Sequence, residues 1–451
     1  LKDGGTMAVK RVTLALDVWQ SLLHMRWQFR DLTFWQLQIH TNTPIQTNDG
    51  GESLKTHRVS DLFLRQFDHF TLRDSHLSFL TISGQRAELA VPQLTWLNGR
   101  NRHRAEGQLS LSSLTGQHGV MQVRMDLRDE DGLLNKGRVW LQADDIDVKP
   151  WLGRWMQDNI ALKSARFSLE GWMTIEKGDV ASGDVWLKKG GASWQGDNEV
   201  HHLSVDNLTA HLSHDKQSWA FYIPDTRIAI DDKPWPSGAL AMAWIPAQDV
   251  GGDDRQRSDE LRIRASNLAL SGLSGLQPFA DKLAPSLGEL WRTTQPGGKI
   301  NLLALDIPLQ ATEKTRFQAQ WSDLAWKQWK LLPGAEHFSG SLNGSVEHGE
   351  LRAHMAKALM PYAGVFRAPL EIAAGEATLS WVKNDKGFML DGRDIDVQAT
   401  GVRARGGFRY LQPQGDDPWL GILAGISTND GGQAWRYFPE NLMGKALVDY
   451  L

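Results

Sequence analysis

The sequence contains no cysteine, which excludes disulfides, thiolate metal sites and cysteine nucleophiles. Charge of one sign is missing too. The formal net charge is −4 and there is no long basic tract, so the chain has no field to hold a polyanion and no nucleic-acid partner is expected. Long hydrophobic runs are absent: the longest, Leu420 to Ile426 and Ala239 to Ile245, fall far short of the roughly 20 residues a membrane-spanning helix needs. Catalytic signatures are poor. No G-x-S-x-G elbow, H-E-x-x-H pair or P-loop occurs, and Gly298-Lys299 and Gly444-Lys445 lack the upstream glycine of a phosphate loop. The 14 histidines are scattered, and neither His201-His202 nor His348 with His354 sits in a metal-type carboxylate pattern. The chain therefore reads as a non-enzyme with no cofactor and no metal.

What is present is a strand with two unlike faces. Arg166 to Glu176 reads RFSLEGWMTIE, with Phe167, Leu169, Met173 and Ile175 in one phase and Gly171 keeping step. The other phase carries Arg166, Ser168, Glu170, Thr174 and Glu176, and only Trp172 breaks the rule. The same alternation recurs in Gly119 to Arg128, where Met121, Val123, Met125 and Leu127 oppose Gln122, Arg124, Asp126 and Arg128, and in Glu260 to Leu270, which places Leu261 and Ile263 inward. Tryptophan is abundant, 20 against 5 tyrosines, and suits surfaces that are apolar on one side and wet on the other.

Helices are few. Asp17 is placed to cap a short helix over Val18 to His24, packed down by Leu22 and Leu23. Phe63, Phe67 and Phe70 recur at helical spacing in a second, and Pro150 opens a third that holds Leu152, Trp155 and Ile160. Pro278 begins the longest candidate, which Pro285 kinks or splits, and Pro439 starts a terminal helix. Gly190-Gly191 is expected to divide one strand into Gly183 to Lys188 and Ala192 to Gln195. The sub-blocks of repeated strands are taken as 1–160, 161–298 and 299–418, followed by a turn and terminal helix in 419–451, all within one continuous β-groove.

A loose repeat begins many strands: Asp or Asn, an aliphatic residue, any residue, then an apolar one. Copies are Asp31-Leu32, Asp145-Ile146, Asn207-Leu208, Asn267-Leu268, Asp323-Leu324 and Asp394-Ile395. Each alone is how an alternating strand starts; together they suggest modular growth. Thr428-x-Asp430-x-Gly432-x-Ala434-Trp435 resembles the Asp-box turn of sialidases, which is a structural motif even where it is genuine.

Roughly twenty such strands each need cover for an apolar face, and a handful of short helices cannot supply a second layer. The strands could pair as sandwiches, close as barrels, or wrap into a trough filled by a lipid. The run RVTLALDVWQSLLHMRWQFRDLTFWQLQIH, Arg11 to His40, resembles the AsmA-like family of envelope proteins. GRVWLQADDIDVKPWLGRWMQDNIAL, KTRFQAQWSDLAWKQWKLLPGAEHFSGSL and AWRYFPENLMGK are similar to a large member of it. The resemblance implies an all-β fold, a long, twisted, U-shaped antiparallel sheet forming an apolar groove, and a bridge-like protein that conducts phospholipids between inner and outer membrane. It implies a periplasmic, monomeric segment of a longer chain. An inner-membrane helix would precede Leu1, and the outer membrane or its proteins would lie at the far end. Phe167, Leu169, Met173, Ile175, Met121, Val123, Met125, Leu127, Leu261 and Ile263 are then the groove lining. The other readings are a β-rich scaffold for an envelope glycolipid or a protein partner, and a carbohydrate-active β enzyme.

Overall fold

The computed structural model describes residues 6–25, 27–44, 62–80, 86–111, 119–130, 133–149, 162–196, 199–215, 218–247, 259–278, 281, 285–330 and 332–437. Among them are 25 strands assigned to one sheet, with short helical pieces between. The chain is thus all-β, as its two-residue periodicity dictates. It divides into two compact units, the first Leu1–Ile223 with Arg227–Lys233, the second Pro224–Thr226 with Pro234–Leu451.

In the first unit, the strands from Arg86–Asn98 to Val200–Asp215 form an antiparallel meander, each paired with its neighbour in sequence. The antiparallel expectation fails at one place. Phe29–Trp35 and Gln38–Pro44 lie end to end along His69–Leu80 and pair with it in parallel, separated by Gln36 at φ 52°. The second unit is a plain antiparallel meander from Leu240–Ile245 to Trp419–Thr428. Trp419–Thr428 is a full strand, at the start of the stretch 419–451 expected to hold a turn and a terminal helix.

The Asp/Asn repeat acquires a physical meaning here. Asp145, Asn207, Asn267, Asp323 and Asp394 all adopt φ between 53° and 59°, a left-handed conformation that Asp and Asn tolerate better than other side chains. Asp145, Asp323 and Asp394 mark β-bulges, where register shifts between Phe167↔Ile146 and Leu169↔Ala143, between Trp321↔Gly340 and Leu324↔Phe338, and between Gly392↔Phe408 and Ile395↔Gly406. At Asn207 and Asn267 pairing is interrupted without a shift of register. A serine on the next strand accepts from the bulged amide: Ser168 Oγ from Asp145 N at 3.0 Å, Ser339 Oγ from Asp323 N at 3.1 Å. At Asp145 the bulge returns the following aliphatic residue, Ile146, to the apolar face, where it is buried, and bulges increase local twist. The sixth copy, Asp31, has no left-handed φ, but register skips its neighbour Arg30.

Other expectations change. Helix Val18–His24 forms with Asp17 Oδ1 accepting from Gln20 N at 3.1 Å, yet Leu22 and Leu23 are exposed rather than packed down. The helix buries no residue. Gly190-Gly191 does not split a strand: Asp179–Gln195 is continuous. A Cβ on Gly190 would stand 2.5 Å from Phe167 Cδ1, so this glycine makes room for a neighbouring ring instead of making a turn. The described helix of the second unit runs Pro285–Thr294, with proline at its first position, where a missing N–H costs nothing. The helices expected from Pro150 and Pro439 lie outside the described residues.

Candidate functional site

Directly opposed residues of neighbouring strands share a face, so the register converts the alternation of single strands into rows across the sheet. In the first unit, one row runs Leu109, Met121, Ala143, Leu169, Leu187, Leu208. A second runs Leu94, Gly107, Val123, Leu141, Gly171, Val185, Ala210, and a third Trp96, Ala105, Met125, Val139, Met173, Gly183, Leu212. Phe167 continues the face through Ile146, Gly190 and Val205, and Leu127 meets Ile175 through Gly137. The eight residues expected to line a groove in this unit therefore stand on one apolar face.

Large and small side chains alternate along these rows, so glycine and alanine seat their neighbours. Met121, Val123 and Leu127 are buried; Met125, Phe167, Leu169, Met173 and Ile175 are half-buried. Met121, Ala143 and Ile146 cluster with Leu89, Leu109, Leu141, Val148 and Leu169. These lie on or directly beside consecutive strands, so among the described residues the cluster spreads sideways over one face and takes no member from a second layer. This separates the fold from a sandwich, whose core joins two sheets.

One end of the face is covered by protein. The turn Leu62–Gln66 presents Phe63, and Phe67 follows it, against Phe34, Phe70 and Trp96; the last two stack at 5.9 Å. Polar groups seat this cap. Asn98 donates to the carbonyls of Phe63 and Phe67 at 2.7 and 2.9 Å and accepts from Trp96 Nε1 at 2.7 Å. His103, 2 % exposed, bridges Asn98 and Asp129.

The second unit repeats the pattern. Leu261 opposes Trp244 and Ile307, and Ile263 begins a row through Leu305, Phe317, Gly344, Gly349, Trp381, Leu390, Tyr410 and Leu420. A parallel row runs Ala265, Leu303, Ala319, Leu342, Leu351, Leu379, Gly392, Phe408, Ile422. On this face Val346, Trp381, Lys383, Phe388 and Leu390 line a concavity of about 530 Å³. Sequence reading missed these aromatic members and the small residues between them, because only register tells which strands' faces coincide.

The opposite face is polar. In the first unit Glu170 accepts from Lys188 at 2.9 Å and from Trp140 Nε1 at 3.1 Å, and these two hydrogen bonds hold its carboxyl below the usual range. Trp172, which broke the alternation, opposes Trp140 in register with ring centroids 6.1 Å apart. It belongs to an aromatic pair on the wet side. Thr428 and Asp430 fasten the Asp-box-like turn: Thr428 Oγ1 donates to Gly401 O at 2.8 Å, and Asp430 Oδ1 accepts from Gly432 N at 3.0 Å. Among the described residues no group of His, Cys, Asp and Glu could hold a metal ion, and no helix is long and apolar enough to cross a membrane.

Comparison with known proteins agrees with this geometry. The family model described as YhdP protein matches residues 2–451. The intermembrane phospholipid transporter YhdP of Escherichia coli (strain K12) is 75 % identical over 451 residues, all of this chain and 36 % of that protein. The chain thus spans about a third of the length of the curated relative it matches. No solved structure matches it.

Proposed function

The chain belongs to the YhdP family, and from that membership we propose that it is part of a bridge-like carrier conducting phospholipids between the two membranes of a Gram-negative envelope, through the periplasm. The observation that carries this reading is the set of apolar rows running across consecutive strands of one face. Acyl chains lie along these rows, with headgroups in water at the edge. Phe167, Leu169, Met173, Ile175, Met121, Val123, Met125 and Leu127 line the path in the first unit, Leu261 and Ile263 in the second. Both units serve one route, and residues 1–451 act as one continuous stretch of it.

The dimensions support the reading. The seven strands from Arg86–Asn98 to Val200–Asp215, at about 4.8 Å spacing, give a lane of about 29 Å. The hydrocarbon of one leaflet is about 15 Å deep, so an acyl chain fits within a single unit. Burial of a chain is worth about 0.8 kcal/mol per methylene, which the bilayer supplies equally. The face therefore lowers the barrier to crossing water and imparts no direction.

Site-specific photocrosslinking in cells tests the assignment. Phospholipid is expected on a crosslinker at Leu169 or Met173 and not on one at Glu170 or Thr174; equal capture from both phases would sink it. Leu169→Asp is expected to fold, with unchanged circular dichroism, and to lose lipid capture at Met173. Unfolding of this variant would favour a core role for the face.

A further inference from the structure

The polar face of the first unit is more than a solvated back. Gln93, Gln108, Gln122 and Gln142 oppose one another across four consecutive strands, and the row continues through Glu170 to Trp186. The adjacent row holds Arg124, Trp140 and Trp172. Trp172 is 52 % and Trp186 43 % exposed, although both sit on the face that the alternation reserves for polar residues. Trp140 lies beside one ring at 6.1 Å and Lys188 Nζ over the other at 5.1 Å, which leaves the rest of each indole open to water on the polar side of the sheet.

Several charges on this face are paired: Arg124 with Glu106 at 2.9 Å, Lys188 with Glu170 at 2.9 Å, and Arg102 with Asp126. Arg104 and Arg138 flank Asp126 in register with no ion pair of their own among the described residues. None of the four glutamine amides bonds to another described residue, and each offers two donors and an acceptor. Gln93, Gln108 and Gln122 also line a concavity of about 720 Å³, together with Thr95 and Arg104. Amides beside partly open indoles suit a ligand that is polar at its rim and apolar on its flat face.

A pyranose sugar is such a ligand: its hydroxyls ring the edge, and its axial C–H groups make one face apolar and weakly positive, complementary to the negative face of an indole. We propose that the polar face of the first unit is a saccharide-binding platform, with Trp172 and Trp186 stacking on sugar rings and the glutamine row bonding their hydroxyls. The two tryptophans are diagonal neighbours on adjacent strands, about 7–8 Å apart at the backbone, so they address one chain and not two. The second unit serves as an internal contrast. Its polar face pairs Arg264 with Asp306 and Arg409 with Asp391, and the row through these strands contains no tryptophan.

The test uses the whole 451-residue chain with cellohexaose and chitohexaose as probes, since these present plain and N-acetylated pyranoses. Saturation-transfer NMR reads the sugar protons, and calorimetry the affinity. Saturable binding of at least one probe is expected, with the ring C–H protons receiving the strongest transfer. Trp172→Ala is expected to weaken binding at least tenfold, Trp172→Ala with Trp186→Ala to abolish it, and Gln122→Ala to weaken it severalfold. Thermal melting should not move in the tryptophan variants, because both rings are exposed. Absence of saturable binding to both probes would overturn the proposal, as would binding unchanged in the double variant. Lipid capture at Leu169 should persist in the double variant. Its loss there would mean that the indoles act through the fold and would overturn the platform, whereas loss of lipid capture in the unaltered protein touches only the transport reading.

Discussion

In the first unit the polar face carries Trp140, Trp172 and Trp186 beside a row of amides, whereas in the second the same face carries Arg264, Glu350, Asp391 and Arg409, most of them in cross-strand ion pairs. The apolar faces of the two units do not differ in this way. Both are built from rows in which leucine, isoleucine, valine, methionine and aromatic rings alternate with glycine and alanine. What both units repeat is the part that a passing acyl chain would need throughout its path. What differs is local, and it lies on the polar side.

The largest expected effect breaks the apolar pattern where a small residue seats a large one. Gly190→Leu places a Cβ 2.5 Å from the Phe167 ring and from Arg166 O, and should lower stability by about 3 kcal/mol. Gly340→Leu in the second unit, with its Cβ 2.4 Å from Arg352 O, should cost a similar amount. Gly297→Ala, which meets nothing within 4 Å, should be neutral. Urea unfolding of the three variants checks the contrast; equal midpoints would mean that the rows are not packed as described.

A smaller effect concerns the left-handed Asn positions that both units share. Asn207→Ala and Asn267→Ala force alanine into a left-handed backbone and should each cost about 1 kcal/mol, while Asn207→Gly should be neutral or better. Similar losses in the two units, read from thermal melts, would establish the repeat as a backbone device. A loss confined to one unit would break the equivalence.

The polar face of the second unit should respond to acid. In the second unit a hydrogen bond from Arg403, joined by Arg405, pushes Asp396 down to about 2. A depressed folded pKa means that this contribution is complete above the ordinary carboxylate range and is lost as pH falls from about 4 toward 2. Carboxyl titration by NMR should place Asp396 well below the ordinary carboxylate range. Both charges are exposed, so the effect on stability should be small and should shrink further in salt. The smallest effect expected is that of Trp172→Ala on stability, within about 0.5 kcal/mol, because the ring is half in water.

Much of this molecule was legible beforehand, and the failures are instructive. Met121, Val123, Met125 and Leu127 could be assigned to one face from spacing alone, since a strand has only two. The cap of helix Val18–His24 was equally plain, because Asp17 has one local partner to find. Gly190-Gly191 misled because glycine marks both turns and places where a neighbour's side chain crowds the backbone. Trp172 misled because its partner, Trp140, is distant in sequence and meets it only through register. Leu22 and Leu23 misled because an apolar pair on a short helix says that it will be covered, and not by what.

The sequence by itself determined the class of fold, the phase of each strand and the shortage of anything that could cover the apolar phase. These follow from local sterics and from counting, and need no distant contact. Only the tertiary structure decided which residues stand side by side across strands, because register depends on pairing between segments far apart in the chain. It turned separate apolar phases into continuous rows, gave five of the Asp and Asn repeats a left-handed backbone, and put two tryptophans and four amides together on the far side of the sheet.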